Sequence, residues 1–134
     1  MIAQETNNEE IEILYNACYG GWGLSDKANE LYSLRRMQNS NNYLSKRSDP
    51  ILIQIYNELG DEFDNKKYSK TIIKKIPKKY EKYYLISEYD GLETVDIDYI
   101  KYELDNLKRN IKELLENNNI DNDEKINQIK KMII

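Results

Sequence analysis

The sequence predicts an α+β fold with a small, mostly antiparallel sheet, two helices after the first strand and a C-terminal helical tail. Three observations support this prediction. Short runs rich in β-branched and aromatic residues are bounded by glycine, proline or an Asp-Gly pair, which is typical of strands and hairpins. Two segments after the first run place apolar residues at helical spacing, and so does the last third of the chain. We therefore divide the 134 residues into a flexible leader (1–9), a core domain (10–97) and a helical extension (98–134).

A glycine-rich loop lies between the first predicted strand and the first predicted helix. Residues 11–18 are rich in β-branched and aromatic side chains with partial alternation, which favours a strand. Residues 19–23 read Tyr-Gly-Gly-Trp-Gly and contain three of the five glycines, so the backbone there needs a positive φ or a close approach to another segment. Ser25 is placed to cap the helix that follows, and Asp26 lies in its first turn.

The second helix, a second strand and a hairpin follow in order. Ser-Asp-Pro at residues 48–50 combines a capping side chain with proline in the first turn, and Gly60 ends that helix. The polar residues 38–47 before it predict a loop. A strand over residues 70–76 ends at Pro77. Asp90-Gly91 predicts a tight turn between strands at residues 84–88 and 92–95.

The tail carries a heptad pattern of apolar residues. Their spacing alternates between four and three at Ile100, Leu104, Leu107, Ile111 and Leu114, and helical spacing resumes after the three asparagines at 117–119. One interpretation is a helix that folds back onto the sheet. The other is self-association through these residues, which would make the protein a homo-oligomer.

Composition excludes several classes of chemistry. The chain has no histidine, so it has no Ser-His-Asp or Cys-His nucleophile pair. Its single cysteine, Cys18, forms no internal disulfide, and a zinc site of cysteines and histidines cannot be built within one chain. No apolar run approaches the roughly 20 residues that span a bilayer. We expect a noncatalytic protein of a reducing compartment with no catalytic residues, no cofactor, no bound metal and no membrane partner.

The glycine loop is the predicted binding site for a phosphate-bearing small molecule. Free N–H groups and the positive end of a helix dipole suit an anion, although the spacing matches neither the P-loop nor the dinucleotide fingerprint. The alternative is a tight corner in which Trp22 packs into the core and Arg47 pairs with Asp49 or Glu88. The candidate ligand-binding residues are Asn16, Cys18, Tyr19, Gly20, Gly21, Trp22, Ser25, Arg47, Asp49 and Glu88.

Two charged clusters suggest weaker alternatives. Glu88, Asp90 and Glu93 surround the predicted turn and could bind Mg²⁺, although Asp90 also suits the turn itself. Lysines interleaved with tyrosines between residues 66 and 82 resemble a nucleic-acid surface, but the net charge of -4 disfavours one, and lysine also protects the edges of sheets. The alternative function is therefore a protein or nucleic-acid interaction module that acts through the lysine-rich strand or the helical tail.

Several of these motifs together resemble one protein family. They are Cys-Tyr-Gly-Gly-Trp-Gly-Leu-Ser at 18–25, Ser-Asp-Pro at 48–50, Ile-Pro at 76–77 and Glu-Tyr-Asp-Gly at 88–91. They resemble a family of small uncharacterised proteins of tailed bacteriophages and giant viruses, over about residues 11–95. Acids usually surround the Ile-Pro pair in that family, whereas Lys75, Lys78 and Lys79 surround it here.

The resemblance implies a viral origin more than a chemistry. It implies a viral accessory protein in the host cytoplasm, or one packaged in the virion, that counters host defence. Its partner would be a phosphate-bearing small molecule or a host or viral protein.

Overall fold

The structure, a computed structural model, describes residues 9–39, 42–65 and 68–133. The predicted leader lies outside these ranges except for its last residue. The predicted α+β architecture is confirmed. The chain divides into two compact units, Met1–Ile97, which we call the α+β unit, and Asp98–Ile134, which we call the helical unit. The elements are β1 (Glu10–Asn16), α1 (Asp26–Gln38), α2 (Pro50–Leu59), β2 (Thr71–Pro77), β3 (Tyr84–Tyr89), β4 (Leu92–Ile97), α3 (Tyr99–Glu116) and α4 (Asn122–Ile133).

The strands form two antiparallel ladders of two strands each, where the sequence suggested one small sheet. β1 pairs with β2, from Glu10 opposite Pro77 to Asn16 opposite Thr71. β3 pairs with β4 to form the predicted hairpin. Its turn is the expected Asp90-Gly91 pair, in which φ is 50° and 88°. Positive φ at both central residues matches the twist of the flanking strands.

The β1–β2 ladder lies between the helices α1 and α2 and the β3–β4 hairpin. Successive residues of a strand point to opposite faces of the sheet. Leu14 accordingly packs into a cluster with Ala28 and Leu52 from the helices. The neighbouring Ile13 packs with Ile76 and with Val95 of the hairpin. The α+β unit therefore has two apolar cores, one on each face of the same ladder.

Side-chain caps explain where the two helices of this unit begin. The Ser25 hydroxyl accepts a hydrogen bond from the Ala28 N–H at 3.1 Å, as expected for the start of α1. The Asp49 carboxylate accepts one from the Ile51 N–H at 3.0 Å, and Pro50 occupies the first turn of α2. Gly60 ends α2 with φ of 54°. Before α2, Lys46–Ser48 forms a single 3₁₀ turn that begins in the predicted loop and ends at Ser48, which was expected at the start of the helix.

The helical unit has the two helices that its periodicity predicted. The Asp98 carboxylate caps α3 by accepting from the Lys101 N–H at 3.0 Å. The asparagines at 117–119 separate α3 from α4, and Asp121 caps α4 by accepting from the Glu124 N–H at 2.8 Å. α3 and α4 contact each other, and the Lys125 ammonium donates to the Leu115 carbonyl at 3.0 Å.

Candidate functional site

The glycine loop and the hairpin turn press against each other through their backbones. Gly20 and Gly21 have φ of 113° and 104°, as expected for the glycine loop. The Gly20 N–H donates to the Asp90 carbonyl at 2.7 Å. A Cβ atom on Gly91 would lie 1.9 Å from the Gly21 nitrogen. The loop therefore serves as a seat for the turn of the β3–β4 hairpin. The missing Cβ of Gly91 permits the close approach, and Gly20 and Gly21 give the loop its positive φ angles.

Asn16 joins this seat to both strands of the first ladder. Its side chain is fully buried at the end of β1. The amide nitrogen donates to the Cys18 carbonyl and to the Gly91 carbonyl, both at 2.8 Å. The amide oxygen accepts from the Lys70 N–H, also at 2.8 Å. One asparagine thus holds the glycine loop, the hairpin turn and the start of β2 in a single arrangement.

Arg47 and Glu93 form a two-point ion pair beside Asn16. Arg47 Nη1 donates to Glu93 Oε1 at 2.6 Å, and Nη2 donates to Oε2 at 2.8 Å. The Asn16 backbone N–H donates to the same Oε1 at 2.8 Å, and Arg47 Nη1 also reaches the Leu14 carbonyl. The side chains of Glu93 and Arg47 are 7% and 19% exposed. This pair, with Asn16 and Trp22, forms what we call the polar core.

Trp22 covers the Arg47 guanidinium. The guanidinium carbon lies 3.8 Å from the centre of the indole ring, which is cation–π distance. The indole N–H donates to the Thr71 hydroxyl at 2.8 Å. The Lys46 ammonium lies 5.7 Å from the same ring, so two cations flank one aromatic side chain.

The polar core keeps Glu93 ionised. Burial by itself raises the pKa of the Glu93 carboxyl, but hydrogen bonds from Arg47 and from the Asn16 N–H, with the Arg47 charge, lower it below the ordinary value. An acid or base catalyst at neutral pH would need the opposite shift. The geometry therefore suits a structural anion that anchors Arg47.

Asp49 lies outside the polar core and belongs to the helix layer. Its fully buried carboxylate accepts a hydrogen bond from the Tyr32 hydroxyl at 2.6 Å, and Arg36 Nη1 lies 3.7 Å away. Burial, this hydrogen bond and the negative charge of Asp49 raise the pKa of Tyr32. The expectation that Arg47 pairs with Asp49 or Glu88 is therefore corrected. Arg47 pairs with Glu93 instead. β4 directs the Glu93 side chain inward, and the Asp49 carboxylate is already bonded to Tyr32 of α1 and to the Ile51 N–H of α2.

The remaining predicted residues lie around the polar core or apart from it. Cys18 is half-buried, and its thiol contacts the Tyr19 carbonyl at 3.4 Å, while the Tyr19 side chain is exposed. The Ser25 hydroxyl is used twice, as the α1 cap and as a donor to the Glu62 carbonyl. Glu88 is exposed and accepts from the Gly91 N–H at 3.3 Å. The structure therefore brings Asn16, Trp22, Arg47 and the glycines together, and leaves Ser25, Asp49 and Glu88 outside that group.

Sequence reasoning missed a second polar cluster, around Asp64. Its Oδ2 accepts from the Thr71 N–H at 2.9 Å, and its Oδ1 accepts from the Ser69 hydroxyl at 2.8 Å and from the Thr71 hydroxyl. Asp64 follows α2 in an acidic loop, where no local pattern distinguishes it from Asp61 or Glu62. The burial of Glu93 could have been predicted from the sequence. Glu93 lies two residues before Val95 in β4, so both side chains point to the same, buried face.

Lysines of the predicted basic patch contribute to the α+β unit. The Lys74 ammonium donates to the Val95 carbonyl at 3.1 Å, and that of Lys78 lies 3.4 Å from the Glu9 carboxylate. Lys66 and Lys67 lie outside the described residues. The Lys74 ammonium therefore links β2 to β4, and that of Lys78 pairs with the residue before β1.

The apolar heptad residues of α3, which we call the seam, are exposed at the N-terminal end of the helix. Ile100 is 82% exposed and Leu104 is 47% exposed, whereas Leu114 near the other end is buried. Leu107 and Ile111 between them are half-buried. On α4, Ile126 and Ile133 are also exposed.

Residues 9–39, 42–65 and 68–133 offer neither a metal-binding cluster nor a membrane-spanning helix. That part of the chain contains no group of three or more Cys, Asp or Glu side chains placed to hold a metal ion. Of the acids around the hairpin turn, Glu93 binds Arg47, and Glu88, opposite it in the hairpin, accepts from the Gly91 N–H. None of the helices described is long and apolar enough to cross a membrane.

Comparisons of the whole chain with protein-family models, with curated proteins and with solved structures give no match.

Proposed function

We propose that this protein is a noncatalytic interaction module whose helical unit associates with a second copy of the chain. The observation that carries the proposal is the exposed N-terminal half of the α3 seam. Large apolar side chains at heptad positions are costly to leave in water, and a partner helix covers them. The polar core of the α+β unit, in contrast, has its groups satisfied within the chain.

The charges beside the seam favour a parallel pair of α3 helices. With Leu104 and Ile111 at heptad position a, Lys101 and Lys108 occupy position e, and Glu103 occupies position g. A parallel pair sets Glu103 of each helix against Lys108 of the other. An antiparallel pair would instead set lysines against lysines. Opposite charges at these positions determine orientation in coiled coils.

Sedimentation velocity of the full chain tests this proposal. The expected mass approaches that of two chains as concentration rises, and Leu104→Lys abolishes the shift because it places a charge in the seam. Leu34→Lys is the matched control, since Leu34 lies on α1 and is similarly exposed at 50%. A monomer at every concentration, or equal effects of the two variants, would contradict the proposal.

Binding of a phosphate-bearing ligand at the glycine loop is the second candidate. It is supported by Lys46 and Arg47, the two cations beside Trp22. A ligand there would compete with Asp90 for the Gly20 N–H and with Glu93 for Arg47. A thermal-shift screen with nucleotides tests it, because a ligand that binds only the folded state raises the unfolding temperature. The viral origin and the role against host defence rest on the family resemblance alone.

A further inference from the structure

We propose that the free edge of β1 is a docking site for an extended peptide of alternating basic and apolar residues. The peptide would add a third strand to the β1–β2 ladder. The site lies in the α+β unit and does not depend on the association of α3.

The backbone of β1 has unused hydrogen-bonding groups on one side. In an antiparallel ladder, the backbone N–H and C=O groups of every second residue point toward the partner strand. The Ala17 N–H donates to the Lys70 carbonyl, so the backbone groups of the odd-numbered β1 residues point toward β2. The backbone groups of the even-numbered residues point away from β2, toward the free edge. Arg47 takes the outward Leu14 carbonyl, and Glu93 takes the outward Asn16 N–H.

Glu10 and Glu12 are the residues left open on this edge. Within the described part of the chain, no hydrogen bond engages their outward N–H and C=O groups. These four groups are what a docking strand needs for main-chain pairing.

The opposite edge of the ladder, along β2, is protected against an added strand. The Thr71 N–H donates to Asp64, and its carbonyl accepts from the Tyr56 hydroxyl at 3.1 Å. Lys75 is exposed further along this edge, and Pro77 has no N–H. Exposed lysine, proline and side-chain contacts to the backbone all hinder strand addition. Among residues 9–39, 42–65 and 68–133, none gives the open part of β1 such a protection.

Two cavities flank the open edge and would receive alternate side chains of a docked strand. Each has a volume of about 420 Å³, and their walls share Ile11, Ser48 and Pro50. One extends to Tyr43 and Leu44, and the other extends along Glu10, Glu12, Ile53, Gln54 and Asn57. Successive side chains of a strand point to opposite faces of the sheet. A docked strand would therefore have two rows of side chains, and one row would enter each cavity.

Charge determines which residues fit each cavity. Glu10 and Glu12 line one of them, and neither has a salt-bridge partner in the part of the chain that the structure describes. The row that faces them is therefore basic. The other cavity has one charge of each sign, Lys78 and Glu81, beside Ile11, Tyr43 and Leu44, so the side chains that enter it are apolar. A second copy of β1 fits poorly, because antiparallel pairing would bring glutamates together.

Fluorescence polarisation with the full chain tests the proposal. The probe is a labelled peptide, Lys-Val-Lys-Val-Lys-Val. The comparators are Glu-Val-Glu-Val-Glu-Val and the blocked sequence Lys-Lys-Lys-Val-Val-Val. We expect the alternating basic peptide to bind at least about tenfold more tightly than either comparator, since only it satisfies both rows. Equal binding of the three peptides, or no binding of the first, would overturn the proposal.

Two proline variants locate the site. Glu12→Pro removes an outward N–H and leaves the ladder bonds of Ile11 and Ile13 in place, so we expect about fivefold weaker binding. Lys75→Pro makes the same change on the β2 edge and should leave the affinity unchanged. Equal losses in both variants would overturn the assignment.

A charge variant tests the same site without altering the backbone, so its result does not depend on whether the proline variants fold. The double variant Glu10→Gln and Glu12→Gln keeps the backbone and the side-chain shape. It should weaken binding of the basic peptide and reduce its salt dependence. If both stay unchanged, the basic row of the proposal is wrong.

Discussion

The α+β unit buries charges, whereas the helical unit exposes apolar side chains. Asp49 and Glu93 are buried in the first, while Ile100 and Ile133 lie in water in the second. Both placements run against the usual preference of these residue types. In the α+β unit, each buried carboxylate contacts donors from other segments: Glu93 those of Arg47 and Asn16, and Asp49 those of Tyr32 and Arg36. In the helical unit, the apolar residues have heptad spacing, which suits a partner helix. Buried charge pairs therefore add to the two apolar cores of the first unit, and the second unit presents exposed apolar side chains to a partner helix.

Removing one member of the buried ion pair should have the largest effect. Arg47→Met leaves the Glu93 carboxylate buried without its cation, and we expect the free energy of unfolding to fall by about 3–5 kcal/mol. Urea denaturation monitored by circular dichroism measures this change. Lys27→Met is the control, because the Lys27–Glu62 pair is exposed at 63% and 62%. Its loss should cost about 1 kcal/mol or less. Similar losses in the two variants would refute the role given to the polar core.

The contact between the glycine loop and the hairpin turn should give the next largest effect. Gly91→Ala adds a Cβ atom against the Gly21 backbone and strains a residue at φ of 88°. We expect a loss of about 2–4 kcal/mol. Gly21→Ala has comparable strain, at φ of 104°, but no atom within 4 Å of the added Cβ, so it should cost about 1–2 kcal/mol. The thermal unfolding midpoints of the two variants compare them, and the order of the losses decides whether the contact matters.

The change of unfolding free energy with pH should be a smaller effect, and it tests whether the buried charge of Glu93 stabilises the α+β unit. The folded-state pKa of Glu93 lies below its ordinary value of 4.5, so its stabilisation is full above that pH and disappears as the pH falls through the folded value. The difference in unfolding free energy between the wild type and Glu93→Gln should therefore shrink on acidification. Denaturation curves from about pH 6 to about pH 3 measure it. A difference that stays constant over this range would show that Glu93 gains nothing from its charge.

Local signals made most of the fold predictable from sequence. Ser-Asp-Pro at 48–50 and Gly60 bound α2, and Asp90-Gly91 forms the expected turn. Such signals act within a few residues, because caps and turns satisfy nearby backbone groups. The heptad spacing of the tail likewise needed only its own sequence to predict α3.

The candidate site was predictable only in part. Sequence singled out Asn16, Trp22, Arg47 and the glycines, but Asn16 and Gly91 are 75 residues apart, and Arg47 and Glu93 are 46 apart. Pairings at such distances depend on how the ladder and the hairpin pack. The expected ligand loop was found to contact its own chain, since free N–H groups attract any nearby acceptor, including the Asp90 carbonyl.

Sedimentation velocity of a chain shortened to residues 1–97 tests the division of roles most directly. A single experiment reports both mass and frictional ratio, and so it separates association from unfolding. Because the polar core lies wholly in the α+β unit and the association surface lies in α3, we expect a compact monomer at concentrations where the full chain associates. An expanded monomer would show that the helical unit is needed for folding, and a dimer would show that association does not depend on α3. Either result would contradict the account.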